Sequence, residues 1–311
     1  MARRALGADT LAVVQAVAAL PPGPWVVACS GGADSLALAW AAGHAARARG
    51  TRVRGVVIDH GLQTGSDARA AAVVSALAGF GMVADAVRVD VASAGSGLEA
   101  AAREARYAAL AAAAQPGELV LLGHTLDDQA ETVLLGLARG SGVRSLGGMP
   151  AARGPFRRPM LGIGREVTRG ACGELSLDPW EDPMNADRRF ARVRVREVVL
   201  PVMEAQLGPG IREALARTAR LSAEASAVLD AAAAAEAPAT AGDCAALRGL
   251  APALRRSLVT GWLRREGARD VSAAHVDAVE RLVTHWHGQR GVDVPGGRVR
   301  RADGMLHFES R

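Results

Sequence analysis

The sequence predicts an α/β protein, a Rossmann-like parallel sheet followed by a smaller, mainly helical domain. Three observations predict it. An apolar run, Trp25-Val26-Val27-Ala28-Cys29, enters the glycine turn Ser30-Gly31-Gly32-Ala33-Asp34-Ser35 and leaves it through the helix formers Leu36 to Trp40. β-rich runs then alternate with helical patterns as far as Leu122, the order that gives a parallel sheet with right-handed crossovers. Past Pro201 helical patterns take over until a short closing ribbon. The expected domains are residues 1–205 and 206–311.

The first strand is bounded by Pro21, Pro22, Gly23 and Pro24, and Leu11–Leu20 before it reads as a helix. Arg3 and Arg4 ahead of that helix imitate a signal peptide, but Gln15 interrupts the run and no A-x-A cleavage site follows. The second strand, Val53–Ile58, ends at Asp59-His60-Gly61-Leu62-Gln63 and is followed by a helix over Ala68–Leu77. Val83–Val89 gives a third strand ending at Asp90. Leu98–Ala114 is helical and carries Glu99, Arg103 and Arg106 on one face. Glu118–Leu122 is the fourth strand, ending at Gly123-His124. In a parallel sheet the ends near Ser30, Asp59, Asp90 and His124 gather at one edge, where open α/β sheets bind ligands.

Two stretches at that edge carry chemistry. Gly31 and Gly32 let backbone approach a ligand closely. The free N–H groups of the following helix turn, with the Ser30 and Ser35 hydroxyls, make a cradle for phosphate. A Walker A loop needs Lys, and this chain has none; the dinucleotide fingerprint needs three glycines, and here Asp34 replaces the close-packing third. The second stretch is Gly123 to Thr132. Thr125 and Asp128 begin a helix in the manner of a capping box. Leu126, Ala130, Val133, Leu134 and Leu137 bury one side of it. Asp127, Asp128 and Glu131 then collect at its start beside the cradle. One acid there is ordinary capping; three acids and His124 point to Mg²⁺ or substrate, because hard cations take oxygen ligands.

Residues 139–154 read as a long loop and Arg165–Leu175 as a helix. Trp180–Asp187 is turn-rich, and Phe190–Leu200 is a basic helix with Arg189, Arg192 and Arg196 on one face. Leu215–Leu229 reads as a connecting helix and low-complexity Ala231–Gly242 as a linker or interhelical loop. Leu247–Leu263 and Ala273–Leu282 are helices, and Val292–Val294, Arg298–Arg300 and Met305–Phe308 form the ribbon. His285-Trp286-His287 lacks a third metal ligand and reads as a polar helix end.

Composition narrows the function. All 37 basic residues are Arg, half the chain is apolar and only 3% is aromatic. A formal charge of +5 and a pI near 10.2 suit a polyanionic partner, which the planar donor fork of Arg contacts well. The three cysteines, Cys29, Cys172 and Cys244, are scattered, so neither a disulfide framework nor a C-x-x-C site follows, and a reducing, cytoplasmic location is expected. No uninterrupted apolar stretch reaches membrane-spanning length.

Ser30–Ser35 resembles the SGGxDS loop of the PP-loop (N-type) ATP pyrophosphatases, which split ATP into AMP and pyrophosphate. The resemblance extends through Asp59-His60-Gly61-Leu62, through Glu99 with Arg103, Arg106 and Tyr107, and through His124 to Thr132. It continues at Arg158-Pro159-Met160-Leu161, Asp182-Pro183-Met184-Asn185, and Arg192 through Arg196 to Pro201. As an ordered set over residues 25–201 these resemble the tRNA(Ile)-lysidine synthase family. Met184 stands where that family usually has Ser, and Val193 where it usually has Asn.

The resemblance implies a ligase that adenylates C2 of the wobble cytidine of tRNA(Ile) with a CAU anticodon and then displaces AMP with free L-lysine. It implies ATP binding by Ser30, Gly31, Gly32, Ala33, Asp34, Ser35, His60 and His124. It implies Mg²⁺ at Asp34 and Asp128, and catalysis by Asp34, Asp127, Asp128 and Glu131. The tRNA or substrate side falls to Glu99, Arg103, Arg106, Asn185, Arg192 and Arg196. A helical tRNA-holding domain and a homodimer are also implied. For that second domain, Arg255, Arg256, Arg264, Arg265, Arg298, Arg300 and Arg301 are the candidate phosphate contacts. A tRNA 2-thiolation enzyme on the same loop is the alternative, disfavoured by the lack of a C-x-x-C pair; a non-catalytic tRNA-binding module is disfavoured by the intact acids.

Overall fold

A computed structural model describes residues 5–61, 65–89, 98–140, 142–240 and 242–311, with the backbone alone over 98–100 and 237–240. Leu62, Gln63 and Asp90 lie outside the described residues, as does the side chain of Glu99. The first elements are α1 (Ala8–Ala18), β1 (Trp25–Ala28), α2 (Ala33–Arg49), β2 (Val53–Asp59), α3 (Ser66–Gly79), β3 (Val83–Arg88), α4 (Leu98–Ala113), β4 (Leu119–Leu122) and α5 (Leu126–Ala138). They match the expected alternation. After them come α6 (Val143–Leu146), β5 (Ala152–Arg153), β6 (Phe156–Arg157) and α7 (Arg165–Glu174).

The sheet order is β3-β2-β1-β4-β6-β5. β1 pairs in parallel with β2 on one side and β4 on the other, so the chain switches direction across β1 and β4. A crevice at the carboxyl ends of those two strands is the ligand position of open α/β sheets. β6 extends the sheet in parallel and β5 turns back against it. These two strands fall where the sequence reads as a loop followed by an arginine-rich run, because two-residue strands leave no alternation to detect.

Apolar side chains cover both faces. Val13, Val17, Trp25, Leu38, Leu77 and Met160 are buried on one side of the sheet. Val26, Val56, Leu110, Val120 and Leu122 are buried on the other. The opposite orientation of Trp25 and Val26 is the period-2 alternation of a strand covered on both faces.

Beyond α7, a 3-10 turn (Pro183–Ala186) leads to α8 (Ala191–Arg194), a π-turn (Val195–Val199) and α9 (Leu200–Leu207). The expected single helix over 190–200 is therefore interrupted by a π-turn, a feature frequent at functional sites. α10 (Ile211–Thr240) runs through the segment read as a linker. Alanine is the best helix former, so a low-complexity Ala run continues the helix. α11 (Cys244–Gly249), α12 (Pro252–Arg265), α13 (Ala273–Thr284) and an antiparallel ribbon of β7 (Val292–Val294), β8 (Gly297–Ala302) and β9 (Met305–Ser310) complete the chain.

The chain separates into two units, residues 1–132 with 149–216 and residues 133–148 with 217–311. A cut at 205/206 falls inside the first unit, and 133–148 group with the second. The second unit has its own core, with Cys244, Leu258, Leu263, Val279, Leu282 and Val299 buried.

Candidate active site

The glycine turn has the expected form. Gly31 takes φ +86, and a Cβ there would lie 2.7 Å from the Val73 side chain, so both conformation and space require glycine. Gly32 caps α2 without a side-chain acceptor, which leaves the first N–H groups of the helix for a ligand. The Ser35 hydroxyl fixes the turn from below: it accepts from the Ser30 N–H at 3.1 Å and donates to the Gly32 carbonyl at 2.9 Å. Gly123, at the end of β4, permits the first turn of α2 to come within 3.3 Å of where a Cβ would stand. The Trp180 N–H donates to the Gly31 carbonyl at 2.9 Å, tying the segment before the 3-10 turn to the cradle.

The acids expected beside this cradle are there, and each is occupied. Asp128 accepts from the Thr125 N–H at 2.9 Å and from Arg165 Nη2 at 3.0 Å. Asp127 accepts from the Arg165 backbone N–H at 2.8 Å and faces Arg212 Nε at 3.2 Å. Glu131 is fully buried. Arg196 grips it in bidentate fashion, Nε to Oε1 at 2.7 Å and Nη2 to Oε2 at 3.1 Å. Arg192 Nε lies 3.2 Å from Oε2, while Arg192 Nη2 donates to the Thr132 hydroxyl at 2.8 Å. Asp34 accepts from the Thr168 hydroxyl and faces Arg165 Nε at 3.5 Å.

The electrostatics follow from this packing. Burial raises the Asp34 carboxyl above the ordinary value, and Thr168 and Arg165 only partly offset it. At Asp128 burial acts in the same direction, but Arg165 and the Thr125 N–H outweigh it, and the net shift is downward. His124 is pulled down to about 3, first by burial and then by Arg106. It is therefore a neutral imidazole at neutral pH, and its Nδ1 is buried with no partner among the described residues. His60 is lowered by burial and Arg106, and its Nδ1 is likewise orphaned. Both rings sit at strand ends with a hydrogen-bonding position that no described residue fills.

The residues expected to meet tRNA diverge. Arg103 is exposed, its guanidinium 5.2 Å from the Tyr107 ring centre. Arg106 is lowered by burial. Asn185 is exposed on the 3-10 turn. Arg192 and Arg196 do not form a solvated basic face; both are drawn inward to Glu131. Val193 between them is buried.

Sequence reasoning passed over Arg165, Thr168 and Arg212, and gave Arg158 no role beyond its place in the family resemblance. Arg165 carried one signal, since a cation at the first position of a helix opposes the macrodipole and needs a compensating reason. Arg158 is buried and donates to the Pro150 carbonyl at 2.8 Å and to Tyr107 at 3.0 Å.

Fold and site together define a PP-loop ATP-binding protein. Residues 10–203 match the PP-loop domain family, and residues 243–307 match the TilS substrate binding domain. The tRNA(Ile)-lysidine synthase of Streptomyces coelicolor is 52% identical over 299 residues, covering 92% of this chain and 85% of its own length. That of Nocardia farcinica is 54% identical over 276 residues, covering 87% and 85%. The chain belongs to the tRNA(Ile)-lysidine synthase family of ATP-dependent ligases. Among solved structures, a U34-tRNA thiolase from Methanococcus maripaludis superposes with a TM-score of 0.59 at 16% identity over 70% of this chain and 80% of that one, a likeness of fold alone. Among the described residues no helix is long and apolar enough to cross a membrane.

Proposed function

We propose that this chain joins free L-lysine to C2 of the wobble cytidine of tRNA(Ile) with a CAU anticodon, through an adenylated intermediate. The observation that carries the reading is the phosphate cradle and four acids gathered at one sheet edge of a chain about half identical to lysidine synthases. In the first step the cytidine O2 attacks the α-phosphorus of ATP, the α–β anhydride bond breaks and pyrophosphate leaves. The amides around Gly31 and Gly32 hold the phosphates through that step. In the second, the deprotonated amine of lysine attacks C2, and AMP departs with the former O2.

Lysine arrives as an ammonium, which is no nucleophile. Asp127 or Glu131 holds it and takes its proton. Both already meet guanidiniums, so lysine enters by replacing one of those contacts. Neutral His124 and His60 offer ring nitrogens to the nucleotide or base. Arg103, Arg106 and Asn185 serve the tRNA, whose anticodon loop yields an unstacked base cheaply.

Among the described residues no three His, Cys, Asp or Glu side chains close around a metal position. Mg²⁺ is bound by one or two carboxylates together with substrate phosphates, and Asp34 and Asp128, which already share one guanidinium, fit that requirement. The ion would neutralise charge on the departing pyrophosphate.

The second unit is assigned to holding tRNA in the same reading, but not through every arginine expected. Arg255 is buried on Glu280, and Arg301 Nη1 donates to the Leu282 carbonyl at 2.9 Å. A cytoplasmic enzyme and a homodimer complete the proposal, the latter checked by sedimentation. Mass spectrometry of tRNA(Ile) after incubation with ATP and lysine tests the whole: a lysine adduct on C34 is expected, and unmodified tRNA with active-site occupancy of ATP overturns it.

A further inference from the structure

Arg165 stands where a bound cation would stand. Its three guanidinium nitrogens face three different carboxylates: Nε meets Asp34 at 3.5 Å, Nη2 meets Asp128 at 3.0 Å, and Nη1 meets Glu131 at 3.6 Å. Its backbone N–H holds the fourth acid, Asp127. The side chain is 17% exposed. It begins α7 behind the cap residue Gly164, at the end of a helix that repels positive charge, so the acids alone account for its position. Thr168, one turn on, donates to Asp34, which aligns the same helix turn with the cluster.

The charges nearly close. Asp34, Asp127, Asp128, Glu131 and Glu204 supply five negative groups, and Arg165, Arg192, Arg196 and Arg212 supply four positive ones. A free divalent cation entering this nearly balanced, largely buried set would leave it with uncompensated positive charge, which a low-dielectric site disfavours. The same ion arriving with nucleotide phosphates brings its own compensation. The four arginines are not equivalent. Arg192 and Arg196 converge on Glu131, and Arg212 on Asp127 and Glu204. Asp34 has an ion pair with Arg165 alone among the described residues.

We propose that Arg165 is a displaceable internal counter-ion: it holds Asp34 and Asp128 while the site lacks nucleotide, keeps free divalent cations out, and turns to the phosphates when the ion and ATP arrive together. The proposal rests on the reading of Asp34 and Asp128 as the ion's ligands. It makes Arg165 a positioning residue that couples metal binding to nucleotide binding.

The test uses the full chain and Mn²⁺ as probe, with free Mn²⁺ read by electron paramagnetic resonance in the presence and absence of ATP. The wild type is expected to bind Mn²⁺ weakly alone and far more tightly with ATP. R165Q, confirmed folded by circular dichroism, is expected to bind Mn²⁺ without ATP at least tenfold more tightly, and to lose at least tenfold of the ATP-to-metal coupling. R165K keeps the charge without the fork and is expected between the two; it decides the matter if R165Q does not fold. A folded R165Q, or failing that R165K, with wild-type Mn²⁺ affinity overturns the proposal. D128N separates the underlying reading: if it leaves Mn²⁺·ATP binding intact, the assignment of the metal ligands fails, and the proposal falls with it.

Discussion

Among the described residues, Glu131 in the first unit and Glu280 in the second are buried glutamates that each pair with more than one arginine. Glu280 takes its partners from one stretch of one helix. Arg255 Nε and Arg256 Nε, consecutive on α12, each donate to it at 2.8 Å, and Arg255 also caps the Leu250 carbonyl at 3.0 Å. Arg256 also meets Asp277 at 3.4 Å, but that acid stands on the same helix, α13, as Glu280. Glu131 takes Arg165, Arg192 and Arg196 from three separate elements, and two of these also face Asp128. Its partners are shared with acids beside the phosphate cradle. In the proposed function the same residue types therefore make a structural tie in one place and part of the reacting site in the other. What separates them is whether the arginines have a second acid to serve at the open edge of the sheet.

Glutamine at each position separates the two roles. Breaking a buried ion pair by removing one partner costs about 3–5 kcal/mol, so E131Q and E280Q are both expected to shift the urea midpoint downward by that order. Only E131Q is expected to lower lysidine formation per folded molecule, by at least about 10²-fold, the scale of a misplaced site. A folded E280Q with an equal loss of turnover would erase the distinction.

A smaller effect is expected from the arginines. If Arg192 and Arg196 serve Glu131, R192A and R196A slow turnover while the slope of log tRNA affinity against log salt stays at its wild-type value. If they contact tRNA phosphates, each substitution flattens that slope by roughly one.

The smallest effect is in pH. Burial pushes the Glu280 carboxyl up, but hydrogen bonds from Arg256 and Arg255 outweigh it and hold it below the ordinary value. A carboxyl depressed in the folded state contributes stability that is complete above the unfolded pKa, about 4.3, and is lost as pH falls through the folded value. The stability gap between wild type and E280Q, measured by urea unfolding, is expected to be constant near neutral pH and to narrow below about pH 4. A gap that widens on acidification would show that the pair does not depress Glu280.

The strands of the first unit and the two stretches at its edge were legible because each announces itself locally. Apolar runs end in Ser30, Asp59 and His124, and the acids of α5 sit three or four residues apart. What escaped was long-range. Arg165 lies 37 residues from Asp128 and 131 positions past Asp34, and no periodicity links residues so far apart. Arg192 and Arg196 show helical spacing, but spacing names a face without saying what it meets. Arg255 was misjudged for the same reason: an arginine on a helix looks alike whether it greets solvent or a buried glutamate. Ala231–Gly242 differs for another reason: low complexity reads as a linker or loop, whereas alanine propensity extends α10 to Thr240.

Pyrophosphate release by wild type, D34A and D128A, with ATP, lysine and tRNA(Ile) present, is the decisive measurement. The wild type should release pyrophosphate only when tRNA is present and in proportion to lysine joined to it. Both variants should retain their circular dichroism and fall at least about 10²-fold, the scale of losing one preorganised electrostatic contact. Release at the wild-type rate by either folded variant would contradict the assignment of that acid to the reaction, and release that is indifferent to tRNA would contradict the reaction itself.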